Sequence, residues 1–130
     1  MYTNIVIALA PTDTAREAYD QGLELARALG AAVQLVCAFD EADDDGTARR
    51  HAESRLEAAA MPLTAAGMTV TTHALPGDPA RALVRVAEET GADLIVVGNK
   101  GAQGALRVLG SVASTVLAQA PCAVLVVHTT

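Results

Sequence analysis

The chain has 130 residues, of which 52% are apolar and only 2% aromatic, and its formal net charge is −6. This length suits one domain with a sizeable core. The many small and branched apolar side chains suit a close-packed α/β layer structure. The scarcity of aromatics disfavours a stacking surface for single-stranded nucleic acid. The acidic charge disfavours broad binding of a phosphate backbone, although a local basic spot can still hold one anion.

The cysteines and the apolar runs indicate the expected compartment. Cys37 and Cys122 both lie inside apolar runs without CxxC spacing, which predicts reduced core thiols. The first apolar run, residues 4–10, is too short for a signal peptide and lacks a basic start. No run reaches membrane-spanning length. We therefore expect a soluble cytoplasmic protein that binds neither membrane nor nucleic acid.

The first third of the chain predicts a strand, a helix and a second strand. Residues 4–10, NIVIALA, form a short apolar, β-branched run, which predicts a buried strand. Thr12 or Asp13 can cap the amphipathic helix that follows, and Gly30 ends it. Residues 32–39, AVQLVCAF, predict the second strand.

An acidic segment, residues 40–46 (DEADDDG), precedes the second helix. A divalent-cation site is one interpretation, but the EF-hand pattern is absent. A solvated cluster that interacts favourably with the helix dipole is the simpler one, and we expect no metal. The second helix, residues 47–67, is long and polar, with a kink or irregularity predicted at Met61-Pro62.

The next segment predicts an outer strand, a helix and an inner strand. Residues 68–75, MTVTTHAL, alternate as expected for a strand nearer the sheet edge, with one wetter face. Asp78 can cap the following helix, with Pro79 at its first position and Gly91 after its end. Residues 92–98, ADLIVVG, form the most continuous apolar strand pattern, so we place this strand centrally in the sheet.

The last two elements complete an alternating order of strands and helices. Ser111 begins a short helix that extends to about Gln119, and residues 121–128, PCAVLVVH, form the last strand. Helices that alternate with apolar strands predict right-handed crossovers and a mainly parallel sheet covered on both faces. In such folds ligands bind outside the carboxyl ends of the strands. The loops after Ala10, Phe39 and Gly98 all lie at that edge.

The segment from Gly98 to Gly110 contains four glycines within thirteen residues. Glycine backbone can approach a ligand closely, and successive N–H groups at a helix start can form an anion site. Ser111 could cap the helix or bond a phosphate oxygen, and Lys100 and Arg107 could neutralise charge. The GxxxxGK[ST] and GxGxxG motifs are absent. From spacing alone, a phosphate cradle and a set of simple turns both remain open.

The pattern Gly98-x2-Gly101 followed by Gly110-Ser111, with the strand ADLIVVGN and the closing APCAVLVVHTT, resembles the universal stress protein family and its signature G-x2-G-x9-G-[ST]. Over the whole chain, the resemblance implies one domain, residues 1–130: a three-layer α/β/α sandwich, adenine nucleotide α-hydrolase-like, with parallel strand order 3-2-1-4-5. It also implies a homodimer through the last strand, Ala123 to His128. In the branch with the signature, it implies binding of ATP or a related adenine nucleotide, with or without Mg²⁺.

The resemblance also assigns binding residues at the strand ends. It implies that adenine meets the backbone at Ala38, that Val97 lies under the nucleotide, and that the glycines and Ser111 surround ribose and phosphates. The predicted nucleotide-binding residues are Ala10, Ala38, Val97, Gly98, Asn99, Lys100, Gly101, Gly110, Ser111 and Val112. Two departures from the family pattern are visible: eight residues instead of nine separate Gly101 from Gly110, and Ala10 stands where the family has Asp.

No constellation of residues predicts a dedicated enzyme. His51, His73 and His128 lie in separate elements, and Ser111 has no GxSxG elbow. The resemblance implies at most slow ATP hydrolysis. The sequence therefore favours a stress-response module that binds an adenine nucleotide. A cyclic AMP-binding sensor and a nucleotide-free dimeric interaction protein are the alternatives.

Overall fold

A computed structural model describes residues 1–42, 45–100 and 109–129 of the chain. It contains five strands and four helices in strict alternation. In chain order they are β1 (Asn4–Ala8), α1 (Asp13–Leu29), β2 (Ala32–Phe39), α2 (Thr47–Ala65), β3 (Val70–Pro76), α3 (Pro79–Thr90), β4 (Leu94–Lys100), α4 (Ser111–Gln119) and β5 (Ala123–Thr129).

The five strands form one parallel sheet in the order β3-β2-β1-β4-β5. This confirms the predicted strand order 3-2-1-4-5. β1 lies in the middle, β4 lies beside it inside the sheet, and β3 and β5 form the two edges. The strand predicted near an edge is β3, and the sheet order places it at an edge. Its Thr71 and Thr72 are exposed, as expected for a strand with one wetter face.

Helices cover both faces of the sheet. On one face, α1 packs on β1, β4 and β5, and α2 packs on β2 and β3. On the other, α3 packs mainly on β2 and β1, and α4 on β4 and β5. Alternate residues of the central strands serve the two cores: Ile5 and Ile7 point into the first and Val6 into the second. The strands are therefore buried on both sides, as their continuous apolar sequences indicate.

Local sequence signals set the helix boundaries. The Thr12 hydroxyl accepts a hydrogen bond from the Ala15 N–H (3.1 Å) at the start of α1, and the Asp78 carboxylate accepts one from the Arg81 N–H (3.0 Å) at the start of α3. Of the two candidates for the first cap, Thr12 is the cap, and Asp13 is the first helical residue. Gly30 ends α1 in the left-handed conformation, which glycine adopts without steric cost.

Three boundaries differ from the sequence prediction. β1 ends at Ala8, so Ala10 belongs to the connection that leads into α1. β4 runs on to Lys100 because its last two residues still pair with β5. α2 ends at Ala65, two residues before the predicted end, and Pro62, which lacks an N–H donor, lies within its last turn. None of the helices described is long and apolar enough to cross a membrane.

Candidate ligand site at the carboxyl ends of the strands

A small cavity lies where β1 and β2 end. Its volume is about 70 Å³, room for one chemical group rather than for a whole drug-sized ligand. It brings together Ala10 and Ala38, two predicted site residues that are far apart in sequence. The lining is Ala8, Leu9, Ala10, Pro11, Val36, Cys37, Ala38, Arg55, Pro79 and Leu83. Two helix layers close it, since Arg55 comes from α2 and Pro79 and Leu83 come from α3.

Arg55 is the residue of this cavity that sequence reasoning missed. Burial raises the pKa of the Cys37 thiol, and the positive charge of the nearby Arg55 guanidinium lowers it in part. Arg55 therefore extends from α2 to the end of β2. No motif could have revealed it, because Arg55 is one of several charged residues on the polar helix α2, and only the packing of α2 on β2 selects it.

A side-chain hydrogen bond joins the end of β4 to the start of α4. Asn99 is 2% exposed, and its side-chain oxygen Oδ1 accepts a hydrogen bond from the Gly110 N–H at 2.6 Å. Gly110 is the N-cap of α4, in extended conformation, and Ser111 is the first helical residue. Ser111 therefore does not occupy the capping position. The Asn99–Gly110 bond, which spans eleven positions in sequence, holds the first turn of α4 beside the end of β4.

Gly98 has a packing role at the same edge. A Cβ built on Gly98 would lie 2.5 Å from the backbone oxygen of Thr14 and 2.7 Å from its methyl group. The first turn of α1 therefore crosses β4 so closely that only glycine fits. The strand-end glycine has a structural reason independent of any ligand. Its predicted contact with a nucleotide stays a prediction.

The remaining predicted residues differ in accessibility. Val97 is 2% exposed and belongs to the core beneath α3 and α4, so its side chain is occupied with packing. Lys100 and Ser111 are exposed, and Val112 is half-buried against the same core. Gly101, like the nearby cation Arg107, lies outside the described residues.

The structure does not bring the three histidines together. His51 is exposed on α2, while His73 and His128 lie on the opposite edge strands β3 and β5. His73 lies 2.7 Å from the side-chain oxygen of Gln34, whose amide donates to the Asn4 side chain at 3.1 Å. Burial lowers the pKa of His73, and the charge of Glu89 offsets this in part. His73 therefore belongs to a polar network across the sheet.

The acidic segment before α2 binds its own backbone where it is described. The Asp40 carboxylate accepts a hydrogen bond from the Ala42 N–H and the Asp45 carboxylate one from the Thr47 N–H, both at 2.9 Å. Residues 43 and 44 lie outside the described part of the chain. Across the residues that are described, no cluster of three His, Cys, Asp or Glu side chains could hold a metal ion.

A larger groove of about 800 Å³ lies between α2 and β3. Leu56 and Val70 belong to its walls, and Glu53 and Glu57 also line it, but none of the predicted site residues does. The groove runs beside an edge strand, whereas parallel-sheet folds bind ligands at the carboxyl ends of strands. We therefore place the candidate site at the Ala10–Ala38 cavity and the Asn99–Gly110 junction.

Comparison with known proteins decides the family. The sequence model of the universal stress protein family matches residues 1–128, nearly the whole chain. The chain belongs to the universal stress protein family. A universal stress protein of Thermus aquaticus is 34% identical over 98% of this chain and 100% of its own length.

Solved structures of the family share the fold. A universal stress protein crystallised in complex with cAMP is 30% identical, has a TM-score of 0.78, and is matched over 99% of both chains. A family protein from Arabidopsis thaliana with AMP bound has a TM-score of 0.73 at 18% identity, over 98% of this chain and 92% of that one. At that identity the second likeness supports the fold alone. The predicted fold is thus confirmed by topology and by similarity.

Proposed function

We propose that this universal stress protein binds ATP or a related adenine nucleotide at the carboxyl ends of its strands. The phosphates lie at the first turn of α4, beside Gly98, Gly110 and Ser111, and the adenosine part extends towards Ala10 and Ala38. Occupancy changes the loop between β4 and α4 or the dimer surface, and a partner detects that change. The protein works in the cytoplasm as a stress-response module, and it is not a dedicated enzyme.

The observation that carries this proposal is the bond from Asn99 to Gly110. It fixes the start of α4, with the positive end of its helix dipole, beside the end of β4. The Asn99 side chain that makes this contact is buried. The Ala10–Ala38 cavity lies at the same edge of the sheet, where β1 and β2 end. That these two features share one edge of the sheet supports a nucleotide bound across them.

Cyclic AMP is the second candidate ligand. A relative that is 30% identical over nearly the whole chain was crystallised in complex with cAMP. A single phosphate needs fewer cations to neutralise it than a triphosphate does. Among the described residues, Lys100 is the cation at the end of β4. ATP binding should depend on Mg²⁺, which offsets the charge of the triphosphate. Cyclic AMP binding should not.

A nucleotide-free dimeric interaction protein is the candidate of a different class. The edge strand β5 and the neighbouring helix α4 expose Leu125 (39%) and Leu117 (44%). An unpaired strand edge with exposed apolar side chains favours association with a second copy. We propose a homodimer through Ala123 to His128 for all three candidates. Only the third predicts no nucleotide binding.

Titration calorimetry with ATP, with and without Mg²⁺, and with cyclic AMP distinguishes the candidates. Gly110→Val should abolish binding while the fold stays intact, because the backbone at Gly110 (φ −68°) suits any residue. Its side chain would, however, crowd the Asn99 side chain, which lies 3.3 Å from the position of an added Cβ. Ala118→Val, on an exposed position of the same helix, is the control. Unchanged affinity in Gly110→Val would rule out the phosphate cradle.

A further inference from the structure

The Ala10–Ala38 cavity is apolar except for one cation. Nine of its ten lining residues are uncharged, and the tenth is Arg55. No Asp or Glu lines it among the residues that the structure describes. Arg55 also forms no ion pair with any described residue. Its positive charge is thus not balanced within the cavity.

The recess on the other side of Ala10 makes the contrast clear. Ala10 also lines this second space, of about 350 Å³ between α1 and α2. There the cation Arg16 is accompanied by the carboxylate of Asp20. The two recesses differ in charge although they share a wall. Of these two recesses, the one at the end of β2 presents a cation without a carboxylate.

A guanidinium that lines a small apolar cavity is suited to a phosphate group. Its N–H groups match two phosphate oxygens at once. Arg55 is itself exposed, so its guanidinium is accessible to a ligand from solvent. In dinucleotide-binding folds, a carboxylate at the ribose end bonds a ribose hydroxyl, whereas an arginine there accommodates a ribose phosphate. The cavity has the second arrangement.

We infer that the site takes an adenine nucleotide with a second phosphate on its ribose, at the 2′ or 3′ position, and that Arg55 binds this phosphate. The inference rests on the proposed function, which places the 5′-phosphate at α4 and the adenosine part at the ends of β1 and β2. The nucleotide is then held at two anionic points. The N-terminus of α4 holds one and Arg55 holds the other.

The test compares three ligands on three proteins by titration calorimetry. The ligands are AMP, adenosine 3′,5′-bisphosphate and adenosine 2′,5′-bisphosphate. The proteins are the unmodified chain, Arg55→Gln, and the control Arg81→Gln, which removes an exposed cation from α3 outside the cavity. One bisphosphate should bind about tenfold more tightly than AMP, the scale of one partly solvated charge-assisted contact. Arg55→Gln should remove that gain and leave AMP binding unchanged, whereas Arg81→Gln should keep it.

Every other outcome contradicts a stated part of the inference or of the proposed function. If AMP binds and neither bisphosphate binds more tightly, the inference fails and the proposed function stands. If the gain survives in Arg55→Gln, or is lost equally in Arg81→Gln, the phosphate is not bound by Arg55. If none of the three ligands binds the unmodified chain, the inference fails, and a titration with ATP then decides the proposed function separately.

Discussion

Replacing Gly98 with alanine should destabilise the fold, even though Gly98 belongs to the predicted nucleotide signature. The added Cβ would lie 2.5 Å from the backbone oxygen of Thr14 and 3.0 Å from its carbonyl carbon. These are backbone atoms in the first turn of α1, so no side-chain rotation relieves the contact. The helix would have to move away by about 0.9 Å or more to restore an ordinary separation.

The expected cost can be estimated from this displacement. Overpacking by one methyl group costs about 1–3 kcal/mol, and replacing a glycine returns about 0.4–1 kcal/mol through the unfolded chain. Because the contact is with backbone atoms that cannot rotate away, the upper half of the overpacking range applies, about 2–3 kcal/mol. After the return through the unfolded chain, we expect Gly98→Ala to lower the free energy of unfolding by about 1–2.5 kcal/mol. With an unfolding entropy of about 2.1 cal/mol/K per residue, a chain of 130 residues should lose about 4–9 °C in melting temperature.

Differential scanning calorimetry and urea unfolding would measure this loss, with Gly110→Ala as the matched control. Among the described residues, an added Cβ at Gly110 meets the Asn99 side-chain oxygen alone, at 3.3 Å, and the local φ is negative. The weaker cap that alanine provides is offset by the gain in the unfolded chain, so the net change should stay within about 0.5 kcal/mol. Equal melting temperatures for the two variants would refute the packing role of Gly98.

Three further changes test the site, the polar network and the dimer. Ala10→Asp should tighten ATP binding about ten- to hundredfold, because a carboxylate there can accept a bond from a ribose hydroxyl; calorimetry that shows no change would refute the role assigned to this position. Burial lowers the pKa of His73 below its ordinary 6.5, so the folded chain resists its protonation and stability should decline as the pH falls through about 6.5. Urea unfolding at pH 7.5 and 5.0 should show a smaller decline in His73→Gln, and an identical decline would contradict the reasoning. Leu125→Asp should dissociate the proposed homodimer in sedimentation at micromolar concentration, whereas Met61→Asp, on exposed α2, should not; a monomeric parent chain would rule the dimer out.

The sequence alone determined the order of elements, the parallel sheet and the helix starts. These features depend on short-range patterns, since a cap such as Thr12 or Asp78 bonds an N–H group three residues away. Because helices alternate with apolar strands, a parallel sheet covered on both faces was the expected arrangement. The strand order 3-2-1-4-5 came instead from the family resemblance, because local patterns do not state which strands are neighbours.

Tertiary structure alone decided how the strand ends are built. Gly98 is a glycine because α1 crosses it at Thr14, and Asn99 is buried because it holds Gly110. The family resemblance assigned both to a nucleotide site and could not show either contact. Arg55 had no pattern to mark it, since it is one of several exposed charged residues on the polar helix α2. Only the packing of α2 against β2 places its guanidinium in the cavity with Ala10, because contacts between distant segments depend on how whole elements pack.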